Sequence, residues 1–166
     1  MKSIIERRSI RKYTNKEISE LELNKLLEAA MYAPSGGNAQ PWDFVVIRDK
    51  EKLLRITDVH PYSHPLKEAN LAIVVCGNMK KEKFPGLWIQ DCSAATQNIL
   101  LAATDLGIGS VWLGIYPEED RVNGLKDIIE APDHIIPFSV VSLGYPDEKK
   151  KTPERFSQMN VHMEKW

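Results

Sequence analysis

The fold this sequence predicts is one α+β or α/β sandwich, with a small sheet held between helical layers. Three observations lead there. Apolar residues recur at helical spacing in some stretches and in short unbroken runs in others, the two kinds of stretch alternate along the chain, and no Gly/Ser-rich linker or internal repeat interrupts the 166 residues. Helix and strand patterns that alternate in this way suit a sheet covered by helices. A folded chain of this length removes roughly 70% of its extended-chain surface from water, so residues 1–166 are read as a single domain that needs no disulfide or metal staple.

Each element has its own signal. Ser3-Ile4-Ile5-Glu6 has the spacing of a capping box and opens a short first helix. A second box, Ser19-Glu20-Leu21-Glu22, opens a helix with Leu23, Leu26, Leu27 and Ala30 on one face, and Pro34 closes it. Trp42 to Ile47 reads as a strand, and Asp49 caps a short helix that carries Leu53, Leu54 and Ile56. Leu71 to Cys76 is an apolar strand.

From Trp88 to about Leu106 the pattern is helical yet apolar nearly all round, including Ala94, Ala95, Ile99, Leu100, Leu101, Ala102, Ala103 and Leu106. Such a helix must be covered on most sides. The cover is either the core of a monomer or a second copy of the chain in a two-fold dimer. Gly107-Ile108-Gly109 ends this helix, Ser110 to Ile115 forms a third strand, and Pro117-Glu118-Glu119 starts a helix that runs to about Ile129. Ile135 to Leu143, broken at Pro137, is the fourth strand. Asp147 to Trp166 has no strong periodicity and fits an extended arm that packs on something.

A formal net charge of -1 with 43% hydrophobic residues excludes a disordered acidic chain and a generally basic nucleic-acid binder. Cys76 and Cys92 lie in apolar stretches without CxxC spacing, which suits buried thiols in a reducing compartment. The first residues lack the apolar stretch of a signal peptide, and no run approaches the roughly eighteen apolar residues that span a bilayer. The expectation is a cytoplasmic protein without nucleic-acid or membrane partners.

Arg7-Arg8-Ser9-x-Arg11 places three guanidiniums and a hydroxyl within five residues. Guanidinium forks match phosphate oxygens in pairs, so the cluster reads either as a phosphate site or as an exposed basic turn. In Pro34-Ser35-Gly36-Gly37-Asn38 the glycines permit close backbone approach, and Asn38 and Gln40 offer donors and acceptors to the edge of a heteroaromatic ring. A plain helix stop explains Pro34 to Gly37 but not the residues from Asn38 to Trp42. Gly107 to Gly114 lacks the Lys-Ser/Thr ending of a P-loop and does not match GxGxxG. His60, His64, His134 and His162 show no HExxH spacing and default to surface or packing roles, and Asp91 beside Cys92 suggests a helix start or an interface hydrogen bond. No acid, base, nucleophile or metal site emerges, so an enzyme of this sequence needs a cofactor for its chemistry.

Four ordered motifs, ERRSIRKY, APSGGNAQPWDF, QDCSAATQNILLAATDLGIGSVWLGIYP and a closing SLGYPDE...RF...EKW, cover nearly the whole chain and together resemble the nitroreductase family of FMN-dependent oxidoreductases. The resemblance implies a three-layer α/β/α sandwich with a small mixed sheet and an intertwined homodimer holding two FMN at the subunit interface. NADH or NADPH would be the donor and a small molecule such as a nitroaromatic or quinone the acceptor, in ping-pong turnover. It also implies roles for particular residues. Arg7 would hold the FMN phosphate, with Arg8 and Ser9 lining the cofactor and Arg11 facing the pyrimidine edge. Pro34, Ser35, Gly36 and Asn38 would reach the flavin from the partner subunit, Leu113 and Gly114 would meet N5, and Arg155, with Lys151 as a second cation, would complete the phosphate site. Tyr62 to Lys67 has no clear counterpart, and Trp88 with the residues from Lys83 to Gly86 stands as a wall or lid. The alternative is a protein that binds FMN for storage, sensing or interaction without nicotinamide-dependent turnover.

Overall fold

A computed structural model describes residues 1–166, and its elements alternate as the sequence predicts. The helices are α1 (Lys2–Glu6), α2 (Glu20–Met31), α3 (Lys50–Val59), α4 (Trp88–Asp105) and α5 (Glu119–Ile129), and the strands are β1 (Trp42–Ile47), β2 (Leu71–Asn78), β3 (Gly109–Gly114) and β4 (Ile135–Gly144). The strands form one sheet in the order β1-β2-β4-β3. All three pairings are antiparallel instead of mixed, and the one parallel strand contact is an isolated bridge between Ser9 and Ser110 at the outer edge of β3.

Two apolar clusters lie on opposite faces of this sheet. Leu71, Ile73, Val75, Val141 and Leu143 pack with Leu23, Leu26, Cys92, Ile99 and Ala103 from α2 and α4. Ala72, Val74, Cys76, Val140, Val111 and Leu113 pack with Leu53, Ile56, Leu125 and Ile128 from α3 and α5. Alternation along each strand sends successive residues to opposite layers, which is why β2 is apolar from Leu71 to Cys76 and buried at every position up to Asn78.

The capping boxes divide. Ser19 and Glu22 close theirs reciprocally at the start of α2. Ser3 does not: α1 begins at Lys2 behind Met1 without a side-chain cap, and the Ser3 hydroxyl instead donates to Asp105 at 3.2 Å. Asp49 caps α3 as expected, accepting from Lys52 N–H at 2.8 Å, while Leu54 turns outward. Pro137 does not break β4, because the ladder to β2 shifts register between Val75 and Cys76 and absorbs the residue without an N–H at an irregularity. At the end of α4, Gly107 adopts φ +71°, the left-handed turn that closes the helix.

Helix α4 lies between the sheet and α2, with Ala94, Leu101 and Leu106 left half-exposed. The stretch from Asp147 to Trp166 contains only one short turn of helix, Gln158–Asn160, and leaves Phe156, Met159, Met163 and Trp166 facing solvent. No helix is long and apolar enough to cross a membrane.

Candidate functional site

The chain leaves α1 at Arg7 and runs along the free edge of β3, and this path joins two cavities. The first, of about 600 Å³, is lined by Arg7, Arg8, Thr152, Glu154, Arg155 and Phe156, among others. Sequence positions almost 150 residues apart thus converge: Arg155 is brought to the Arg7–Arg8 pair. Burial lowers the Arg7 pKa from its usual value, and the positive charges of Arg155 and Arg8 lower it further. An anion between these forks would relieve that repulsion.

The three arginines are not equivalent. Arg8 donates to the carbonyls of Ile5 at 2.7 Å, Lys151 at 3.1 Å and Arg7, so it straps α1 to the C-terminal segment. Neither Arg7 nor Arg155 forms a side-chain hydrogen bond or an ion pair. Lys151 enters this region through its carbonyl and does not line the cavity.

The second cavity, of about 390 Å³, is lined by Arg11, His60, Tyr62, His64, Trp112, Leu113, Gly114 and Arg121, with Val111 behind. Its floor is the edge of β3. In an antiparallel ladder the backbone groups of alternate residues point to opposite sides. Ser110 C=O points outward, accepting from Ile10 N–H at 2.9 Å, and so does Gly114 C=O, which receives His60 and Arg121. The backbone groups of Trp112 and the N–H of Gly114 share that side. A Cβ on Gly114 would meet nothing within 4 Å, so the space beside its Cα is open. Arg11 and Leu113 therefore sit with Gly114 at one end of the edge, Arg7 and Arg8 at the other, and Ser9 between them at the bridge to Ser110.

Pro34, Ser35, Gly36 and Asn38 line neither cavity. They form a tight corner beside the start of α4, in which Gly37, Asn38 and Gln40 all have positive φ, an unusual conformation for the latter two. Ser35 Oγ accepts from Gln40 N–H at 3.0 Å, and Asp91 Oδ1 accepts from Gly36 N–H at 3.0 Å. The glycines answer to residues of the same chain: a Cβ on Gly36 would fall 2.9 Å from Leu87 Cδ1, and one on Gly37 2.7 Å from Phe84 Cε2. Lys83 donates to Gly37 C=O at 2.9 Å, so this segment closes over the corner. Trp88 is no part of a lid, being a core residue packed edge-on to Tyr116 and Phe138.

Two functional candidates, His60 and Arg121, escaped the sequence reading. His60, expected in a surface or packing role, is buried with both ring nitrogens engaged. Arg121 carried no motif, and Asp91, in the first turn of α4 as the sequence suggests, also anchors the Gly36 corner. Only the capping pattern of α3, which fixes where His60 emerges, pointed toward the first. The cysteines are inert: burial, then the Asp43 charge, pushes the Cys76 thiol up to about 12, and burial raises Cys92 as well. No three His, Cys, Asp or Glu side chains gather in a metal-binding array.

Comparison with known proteins adds the following. The model described as "Nitroreductase family" matches residues 4–64 and 61–145. A Methanothermobacter thermautotrophicus protein, provisionally named NADH dehydrogenase/NAD(P)H nitroreductase, is 50% identical over 100% of this chain and 87% of its own length. The FMN-dependent nitroreductase of Clostridium difficile shares 32% identity, full coverage of both chains and a TM-score of 0.92. A Desulfovibrio desulfuricans protein, provisionally named a nitroreductase and crystallised in complex with FMN, shares 30% identity over 99% of this chain and 96% of its own, with a TM-score of 0.86.

Proposed function

This chain belongs to the nitroreductase family, and on that premise we propose that it is an FMN-dependent oxidoreductase that spends NADH or NADPH on a small acceptor, a nitroaromatic or a quinone. The observation that carries the reading is the β3 edge: a cluster of guanidiniums at one end and an open Gly114 amide at the other, joined by residues 7–11. The four steps from Arg7 to Arg11 span at most about 14 Å. That suits a ligand with a phosphate at one end and a planar ring at the other.

The residues fit FMN. Arg7 and Arg155, both without internal partners, would take the phosphate, with Arg8 holding the wall and Ser9 beside the chain. Arg11 would face the pyrimidine edge, where a fixed cation favours the negative charge of the reduced ring. Leu113 and Gly114 would lie along the ring, the Gly114 N–H serving N5. Pro34, Ser35, Gly36 and Asn38, remote from both cavities in one protomer, would serve the site of a second copy in a homodimer.

When bound, FMN supplies the two-electron chemistry, receiving hydride from the nicotinamide and giving it up to the acceptor. The chain's part is to bind and orient. The net reactions are ArNO2 + NAD(P)H + H+ giving ArNO + NAD(P)+ + H2O, and quinone + NAD(P)H + H+ giving hydroquinone + NAD(P)+. Donor and acceptor would use one site in turn, which predicts ping-pong kinetics.

The test is the anaerobic visible spectrum of the purified protein before and after NADPH or NADH, followed by initial rates. Oxidised-flavin bands that bleach, with parallel double-reciprocal lines, support the reading. Bands that persist with either nicotinamide would leave a flavin-binding protein for storage or sensing, and intersecting lines would reject the shared site.

A further inference from the structure

The carbonyl of Gly114 is held by two donors, His60 Nε2 at 2.9 Å and Arg121 Nη1 at 3.2 Å. They differ in charge. His60 Nδ1 accepts from Tyr62 N–H at 3.1 Å, so the ring proton sits on Nε2 and the imidazole is neutral. Arg121 is permanently charged, and no carboxylate lies within 4.0 Å of it, for the ion pairs of the molecule involve Arg48, Lys52, Lys81 and Lys150 only. The neighbouring Glu118, Glu119 and Asp120 are exposed on the helix start and do not line the cavity. The lining includes two guanidiniums and two imidazoles and no acid.

Arg121 is half-buried and uses one of its five N–H groups on Gly114. A guanidinium that is partly desolvated and lacks a counter-charge is poised for an anion. Its tether also fixes its place. It is bound to the backbone unit whose amide serves the reacting end of the ring under the reading above, whereas Arg7 and Arg155 stand at the opposite, phosphate-holding end.

We propose that Arg121 is the acceptor-binding cation of this site, and that the acceptors it selects carry a carboxylate or sulfonate on the same small ring as the reducible group. The inference rests on the FMN oxidoreductase reading. The pyrophosphate of a nicotinamide dinucleotide is the other source of an anion. It lies farther from its reacting ring than an aryl carboxylate does, and the short tether to Gly114 favours the acceptor.

The experiment compares 4-nitrobenzoate with 4-nitrobenzamide as acceptors for the holoenzyme and for Arg121→Gln and Arg121→Lys. Glutamine keeps an N–H for Gly114 and loses the charge; lysine keeps the charge. The amide withdraws electrons more strongly, so a wild-type preference for the carboxylate runs against intrinsic reactivity. The expected result is that preference, a fall of about tenfold in the kcat/KM ratio in Arg121→Gln, and substantial recovery in Arg121→Lys. Benzoate binding, measured by calorimetry without turnover, should weaken by a similar factor in Arg121→Gln and with added salt. Should Arg121→Gln not fold, wild-type preference and its salt dependence decide.

A wild type with no preference, or a ratio unchanged in Arg121→Gln, overturns the proposal. A variant that raises the KM for NADH and NADPH while keeping the ratio assigns the fork to the donor's phosphates and likewise overturns it. A wild type whose flavin is absent or is not bleached by a nicotinamide defeats the underlying reading, a failure separate from loss of acceptor preference in an active enzyme.

Discussion

His60 Nε2 lies 2.9 Å from the carbonyl oxygen of Gly114 and couples the end of α3 to the end of β3. Burial lowers the His60 pKa from its usual value, Arg121 lowers it further, and the hydrogen bond to Gly114 offsets only part of this. A folded-state pKa below the unfolded one means that the unfolded chain takes up the proton more readily. This contribution to stability is therefore present above about pH 6.5 and is lost as pH falls toward the lowered folded value. The Tm of the wild type should drop between pH 7 and 5, and His60→Gln, which retains a donor but does not titrate, should show a shallower drop. Equal slopes would mean that His60 does not titrate as a buried neutral ring.

Arg7 and Arg155 share a cavity without partners of their own. A hydrogen bond to a charged group contributes about 1.5–3 kcal/mol, so each single alanine variant should weaken FMN binding by roughly 10- to 150-fold, and the double variant should purify colourless. Fluorescence titration of apoprotein with FMN measures this. Unchanged affinity in the double variant would show that the phosphate binds elsewhere.

Gly114→Ala separates folding from ligand binding. A methyl at this position meets no atom of the protein within 4 Å, so thermal stability without ligand should stay close to that of the wild type. The same methyl enters the open space over the β3 edge, and FMN content after purification should fall several-fold. A destabilised variant with normal flavin content would reverse the assignment of that space.

Asp91 accepts from Gly36 N–H and is itself buried. Asp91→Ala leaves that N–H without its acceptor, at a cost of about 1–3 kcal/mol, which lowers Tm by roughly 2–10 °C in a domain of this size. Asp91→Asn, with an oxygen still available, should lose less. Proteolysis within residues 34–40 should quicken in the alanine variant, and an unchanged cleavage rate would argue that the corner holds itself.

The core and element order were legible because they depend on local patterning: the short apolar runs of β1 to β4 and the stripe of Leu23, Leu26 and Ala30 suffice. The arginine cluster was legible as chemistry but not as a place, since nothing local to Arg7 says that Arg155 joins it. Ser3 misled because its hydroxyl found Asp105, 102 residues away, where the local pattern offered Glu6. His60 and Arg121 were illegible for the same reason. Their common partner is a backbone carbonyl, and a carbonyl leaves no mark in a sequence. The glycines of the 34–37 corner were read as making room for a ligand, while the nearest claims on that room within one chain come from Phe84 and Leu87.

The edge of β3 has a second consequence, for solubility. An outermost strand with free backbone groups invites another chain to add on and start an aggregate. Here Ser110 is taken by the Ile10 segment, and the Gly114 carbonyl is taken by His60 and Arg121, so an incoming strand finds no continuous ladder. Only the stretch around Trp112 and the Gly114 amide remains open, too short to hold a strand. The groups that shape the cavity also act as a guard against intermolecular pairing, and variants that strip them should shorten the time the protein stays in solution at high concentration.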